Sequence, residues 1–198
     1  DDAIPTTTVV SGSGGAFGAD GTAAVDPAAP AGALDPTEAA DLLFMIEEEK
    51  LALDVYTSLG ATWDLPTFSN IASAEANHVD AVRTLLERYG LDDPTEGMAL
   101  GEFVDARFTG LYQDLIAQGQ SSVVSALEAG AAIEELDIVD LDVRLAQTDE
   151  APITKVYESL QAGSRNHLRA FAGALDARGV TYQPLHLDQV TYDAVVSS

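Results

Sequence analysis

Glu75 and His78 stand three residues apart. On a helix they share one face, one turn from each other. Glu134 and Asp137 repeat that spacing with two carboxylates, and Ser164 and His167 repeat it with a hydroxyl and an imidazole. Each pair interrupts an apolar stripe of three/four spacing. Around Glu75 and His78 the stripe runs Phe68, Ile71, Ala72, then Val79, Val82, Leu86. Around Glu134 and Asp137 it runs Val123, Leu127, Ala131, then Ile138, Leu141, Leu145. Around Ser164 and His167 it runs Ile153, Val156, Leu160, then Phe171, Leu175. A fourth stripe, Leu42, Met45, Ile46, then Ala52, Leu53, Tyr56, has Glu49 in its gap. Residues on such stripes face a core. Glu49, Glu75, Glu134 and Asp137 would then carry four negative charges inward, with no Lys or Arg on the same stretch of those stripes. Unpaired buried carboxylates are costly and take up protons rather than stay ionised. Two divalent cations would neutralise them, with carboxylates spanning the metals and the neutral imidazoles of His78 and His167 completing the set.

Such a site needs four helices to hold it. Asp35-Pro36-Thr37-Glu38 is a helix start, with Asp35 as cap, Pro in the first turn and Glu three after the cap. The first long helix is expected over about 36–59, ending near Gly60, and the second, capped by Asp64, over about 65–89, stopping at Gly90. A loop at 91–102 precedes a short helix over about 103–118. Ser121 or Ser122 caps the third long helix, about 122–147, and the fourth runs over about 151–178 to Gly179. Short connections make the first and second, and the third and fourth, antiparallel hairpins. Within each hairpin the polar positions sit at matching heights. Glu49 lies thirteen residues before the first turn, near residue 62, and Glu75 thirteen after it. Glu134 lies sixteen before the second turn, near 150, and His167 seventeen after. The expected fold is all-α: a four-helix bundle of ferritin-like connectivity, whose one long crossover carries the extra short helix.

Composition narrows the field. The chain has 198 residues, 33 Asp and Glu against 9 Lys and Arg, a net charge of −24 and no Cys. Disulfides, thiolate zinc sites, cysteine-ligated iron–sulfur clusters and a Cys nucleophile are excluded. The charge repels nucleic acid and anionic lipid and attracts cations. No apolar run approaches the length of a membrane span, and no phosphate-binding loop, dinucleotide fingerprint or nucleophile elbow is present. Residues 1–34, rich in Gly, Ala, Ser, Thr and Pro, are expected to be a flexible tail, read as a spacer behind a removed export signal. Export to the cell surface, periplasm or medium is the expected localisation, with a cytoplasmic protein bearing a disordered tail as the alternative. Residues 35–179 form the bundle, and 180–198 read as an irregular wrap with His186 on the surface. Glu47 and Glu48 are expected on a solvated face, and Tyr56 in the core near Glu49.

The segments Glu49-x-x-Ala52-x-x-x-Tyr56 and Ile71-Ala-x-x-Glu75-x-x-His78 resemble the first two helices of rubrerythrin-type ferritin-like proteins. More closely, EEEKLALDVY, FSNIASAEANHVDAV, LLERYGL and SRNHLRAF resemble a ferritin-like family, the domain of unknown function 2202, across roughly residues 38–178. The resemblance implies a dimetal centre. Glu49 corresponds to the ligand of the first helix, Glu75 to the first bridging carboxylate and His78 to the ligand one turn on. Glu134 corresponds to the second bridge, Asp137 to a second carboxylate, and His167 completes the second metal. Ser164 departs from the pattern, which has Glu there. The Cys-bound iron domain of rubrerythrins has no counterpart, because its ligands are missing.

The first functional expectation is an oxidoreductase holding two divalent metal ions, iron foremost and manganese or zinc as alternatives, that oxidises iron with O2 or peroxide. The second is a secreted or surface module that binds and sequesters metal without turnover. A third is a metal-free bundle for protein interaction. A homodimer is the assembly allowed for.

Overall fold

The computed structural model describes residues 34–197, so the expected tail, apart from Leu34, lies outside the described residues, as does its role as an export spacer. Among the described residues the chain is all α-helix, with no strand: α1 Pro36–Trp63, α2 Pro66–Tyr89, α3 Ala106–Gly119, α4 Val123–Leu145, α5 Ala151–Asp176 and α6 Gln189–Val196. No described helix is long and apolar enough to cross a membrane.

The start of α1 follows its sequence. Asp35 accepts from the backbone N–H groups of Thr37 and Glu38, and Glu38 accepts in return from Asp35 N–H, closing a capping box. Its end does not. The helix runs through Gly60 to Trp63, and a Cβ on Gly60 would meet Phe68 Cβ at 3.2 Å. That glycine admits α2 at close range rather than stopping α1. Asp64 ends α1 instead, in the left-handed conformation at φ 49°, with its N–H on Gly60 O. It therefore does not cap α2, whose start at Pro66 is set by proline in its first turn behind Leu65. Asp105 caps α3 at Arg107 N–H, so that helix begins three residues later than expected. Ser122 caps α4 through Ser125 N–H. The C-terminal segment is irregular only to Asp188, which caps α6. Eight residues that bury only Tyr192 and Val195 are too few to show a helical period in sequence.

Two residues join α1 to α2 and five join α4 to α5, so each pair packs as antiparallel neighbours. Contacts of α2 with α5 and of α1 with α4 close a ring of four long helices. The connection from α2 to α4 carries α3, which packs on α1 and α4, while α6 packs on α5. The apolar interior is in two parts. One holds Leu51 to Leu59 of α1, Phe68 and Ile71 of α2, Ala126 to Ile133 of α4 and Leu168 to Leu175 of α5. The other holds Leu42 to Ile46, Val79 to Leu86, Leu141 and Ile153 to Leu160. Between them, on every long helix, lies the break in the apolar stripe: Glu49, Glu75 and His78, Glu134 and Asp137, Ser164 and His167. The four helices thus deliver one polar layer to the middle of the core.

Candidate metal centre

Glu75 sits at the centre of that layer and uses its two oxygens in opposite directions. Oε2 lies 2.8 Å from His78 Nδ1, and Oε1 lies 2.8 Å from His167 Nδ1. Glu49 Oε2 approaches His78 Nδ1 at 3.3 Å, and Glu134 Oε2 approaches His167 Nδ1 at 3.5 Å. Two triads result, Glu49–Glu75–His78 and Glu75–Glu134–His167, each offering three ligand atoms within 4.8 Å of one another. Glu75 belongs to both. The imidazoles stack with ring centroids 5.5 Å apart. Asp137 is buried beside this arrangement but belongs to neither triad. The longer α1 moves the first turn to Asp64–Leu65, so Glu49, fifteen residues before it, meets His78, thirteen after it, more squarely than it meets Glu75.

The layer is electrostatically unfinished. Both oxygens of Glu49 and of Asp137, Oε1 of Glu75, Oε2 of Glu134 and Nδ1 of His167 are buried without an aligned hydrogen bond. The 2.8 Å approach of His167 to Glu75 is therefore proximity rather than a directed bond. Burial pushes the Glu49 carboxyl up to about 7, against the pull of His78. Burial likewise raises Glu134, and it raises Asp137 well above the carboxylate range with help from Glu48 and Glu49. Glu75 goes the other way: burial would raise it, but His78 and His167 together hold it below its ordinary value. Burial would lower both imidazoles, yet Glu75 and Glu49 hold His78 well above its usual value, and Glu134 and Glu75 push His167 up to about 10. Protons thus hold together what the side chains alone do not satisfy. Buried carboxylate oxygens and imidazole nitrogens that lack partners are the donor set that divalent transition metals take. Each of the two triads has the donor set to hold a metal ion.

Neighbouring residues fix the donors. Tyr56 donates its O–H to Glu134 Oε1 at 2.6 Å, and burial keeps the phenol protonated. Its ring packs on Phe68 and Phe171, so it is both core and hydrogen-bond donor. Gly163 makes room for His78: a Cβ there would lie 2.5 Å from Cε1 and 2.6 Å from Nε2 of that ring. With that edge against α5, Nδ1 faces the carboxylates. Ser164 is buried in the layer, but its O–H donates back to Leu160 O at 3.1 Å, so α5 contributes only His167.

Several buried acids escape the sequence reading. Glu47 and Glu48 are 5% and 4% exposed, not solvated. Glu47 accepts from the backbone N–H groups of Val104 and Asp105 and ties α1 to the start of α3. Glu48 lies three residues after Met45 and four before Ala52, on the same apolar face as Glu49, which is the signal that would have placed it inside. Glu135 is fully buried and accepts from the N–H groups of Leu185, His186 and Leu187, while the His186 side chain is on the surface as expected. Nothing in helical periodicity reveals that partnership.

The sequence matches, over residues 38–198, the family described as "Uncharacterized protein domain (DUF2202)". A relative, the uncharacterized protein MJ0754 of Methanocaldococcus jannaschii, is 45% identical over 157 residues, spanning 79% of this chain and 85% of that protein. The crystal structure of the hypothetical protein MJ0754 from Methanococcus jannaschii matches with a TM-score of 0.84 at 43% identity, covering 86% of this chain and 98% of that one.

Proposed function

The chain belongs to the DUF2202 family, and we propose that it is a ferritin-like metal-binding protein whose four long helices hold two divalent cations, iron foremost, in the polar layer. One observation carries this reading: Glu75 places one oxygen in each of two buried Glu/His triads. A carboxylate shared in that way suits a pair of cations and has no comparable purpose in a core of hydrogen-bonded polar groups. Glu49, Glu75 and His78 would hold one ion, and Glu75, Glu134 and His167 the other. Asp137, buried and unpartnered alongside, adds charge that two divalent ions would offset.

Bound iron would supply electrons for reducing O2 or peroxide while being oxidised. The chain's own part is positional. The apolar halves of the core exclude water from both sides of the layer, Tyr56 orients Glu134, and Gly163 lets α5 press His78 toward Glu75. Retention of metal without turnover is a second reading, and Ser164 favours it, because α5 brings one donor where a second carboxylate would strengthen the His167 side.

Metal analysis of protein purified without chelators tests the reading. Two equivalents per chain are expected in the wild type and a loss of both in Glu75→Ala, since both triads share that residue. Unchanged metal content in the variant would contradict it. Anaerobic loading with Fe(II) followed by O2 then separates the two readings. A rising near-ultraviolet ferric absorbance supports oxidation, and a silent, retained Zn(II) load supports sequestration.

A further inference from the structure

A line of acids leaves the polar layer along the seam between α1 and α4. On α4, Glu134, Asp137, Asp140 and Arg144 follow at three- and four-residue steps, placing one side chain per turn on a common face. On α1, Asp41 and Glu48 stand two turns apart, and Glu48 adjoins Glu49. Exposure falls steadily inward: the side chain of Asp140 is 33% exposed and that of Asp41 21%, whereas Glu48 and Asp137 are 4% and 1% exposed as residues. Glu48 feels the charge of Asp140, and the charges acting most strongly on Asp137 are those of Glu48 and Glu49. Helix register and falling exposure thus set these acids in one succession from the surface toward the triads. Both oxygens of Asp137 and Oε2 of Glu48 are buried without a hydrogen-bond partner, as is the O–H of Tyr157 near Glu48. Carboxylates that served only to hold helices together would be satisfied, as Glu47 and Glu135 are.

The outer end has a stopper. Arg144 donates to Asp140 Oδ1 at 3.1 Å, lies 3.5 Å from Asp41 Oδ1 and stacks over the Phe44 ring at 3.9 Å. Outside it lies a cavity of about 470 Å³, lined by Asp41, Phe44, Glu47, Asp105, Arg107 and Arg144. A cation already occupies the acidic mouth, and it belongs to a side chain long enough to swing away.

We infer that this seam is the entry route for divalent cations, running from Asp41 and Asp140 past Glu48 and Asp137 to Glu49, with Arg144 as its gate. The inference rests on the metal-centre reading. An arriving ion takes the place of the guanidinium between Asp41 and Asp140, and then passes the unpartnered Oε2 of Glu48 and both unpartnered oxygens of Asp137. The strongly acidic surface draws cations to the mouth from every side.

Rapid mixing of metal-free, full-length protein with Co(II), followed by its visible absorbance, tests the route. Asp140→Asn and Glu48→Gln are expected to slow uptake about tenfold while leaving the final amount bound unchanged. Arg144→Gln is expected to speed it. Asp193→Asn, on exposed α6, removes the same charge and is expected to match the wild type. If Glu48→Gln does not fold, Asp140→Asn, at the accessible end, carries the test by itself. Rates for the seam variants equal to that of Asp193→Asn would overturn the route. So would a Glu48→Gln protein that binds less Co(II), because Glu48 would then be a ligand. A wild type that takes up no Co(II) would remove the metal-centre reading and the route together.

Discussion

Gly163 decides how closely His78 can meet α5, and with it the orientation of one triad. Alanine suits a helix interior better than glycine by about 1 kcal/mol. Here the added Cβ would fall 2.5 Å from the imidazole. Gly163→Ala is therefore expected to weaken binding at the Glu49–Glu75–His78 triad by at least about tenfold and to spare the His167 triad. Calorimetric titration with Zn(II) would show two unequal sites, and two unchanged sites would contradict that account. Tyr56→Phe removes the hydrogen bond to Glu134 but keeps the packing on Phe68 and Phe171. It should cost the metal-free protein about 1 kcal/mol in urea unfolding. At this scale much was legible: the burial of Glu49, Glu75, His78, Glu134, Asp137 and His167 follows from their place on apolar stripes. What periodicity could not supply is approach between helices. It marks the face of His78 but not the missing Cβ opposite; Glu48, read as part of a solvated acidic run, in fact shares the buried face of its neighbour.

Single carboxylates also decide how the elements are joined. Glu135 gathers three successive backbone N–H groups at 185–187 and fastens the C-terminal segment to α4. Asp54 accepts from Gly101 N–H and from Lys50, which also donates to Ala99 O, so that the loop before α3 is held to α1. Glu135→Ala would strip the partner from those N–H groups, at a cost of about 1–3 kcal/mol. Amide hydrogen exchange should then rise at Leu185 to Leu187 and through α6 while the four long helices stay protected. Uniform loss of protection would instead make Glu135 part of the global core. Helix starts were legible wherever a cap side chain was present, as at Asp35 and Ser122. The end of α1 was not, because glycine has two uses, and at Gly60 closeness to Phe68 prevails over termination.

Across the whole molecule, the polar layer couples folding, protons and metal. Glu49 ionises near 4.5 when unfolded but near 7 in the fold, so its ionisation weakens the fold as pH rises between those values. His167, near 6.5 unfolded and near 10 folded, adds stability below 6.5 that is lost as pH climbs toward 10. Glu75 is held below its usual value, and its contribution disappears only on acidification below about 4.5. The metal-free protein should therefore melt at falling temperature from pH 5 to pH 10, and metal should flatten or reverse that slope by replacing protons. Scanning calorimetry with and without Zn(II) would check this, and parallel pH profiles would argue against it. The net charge of −24 hints at cations without saying where they go; the location comes only from four helices breaking their stripes at one height. Anomalous diffraction at the zinc edge from crystals grown with Zn(II) addresses the central claim most directly. Two peaks are expected on opposite sides of Glu75, one beside His78 and one beside His167. Peaks confined to surface acids, with the buried layer empty, would contradict the account.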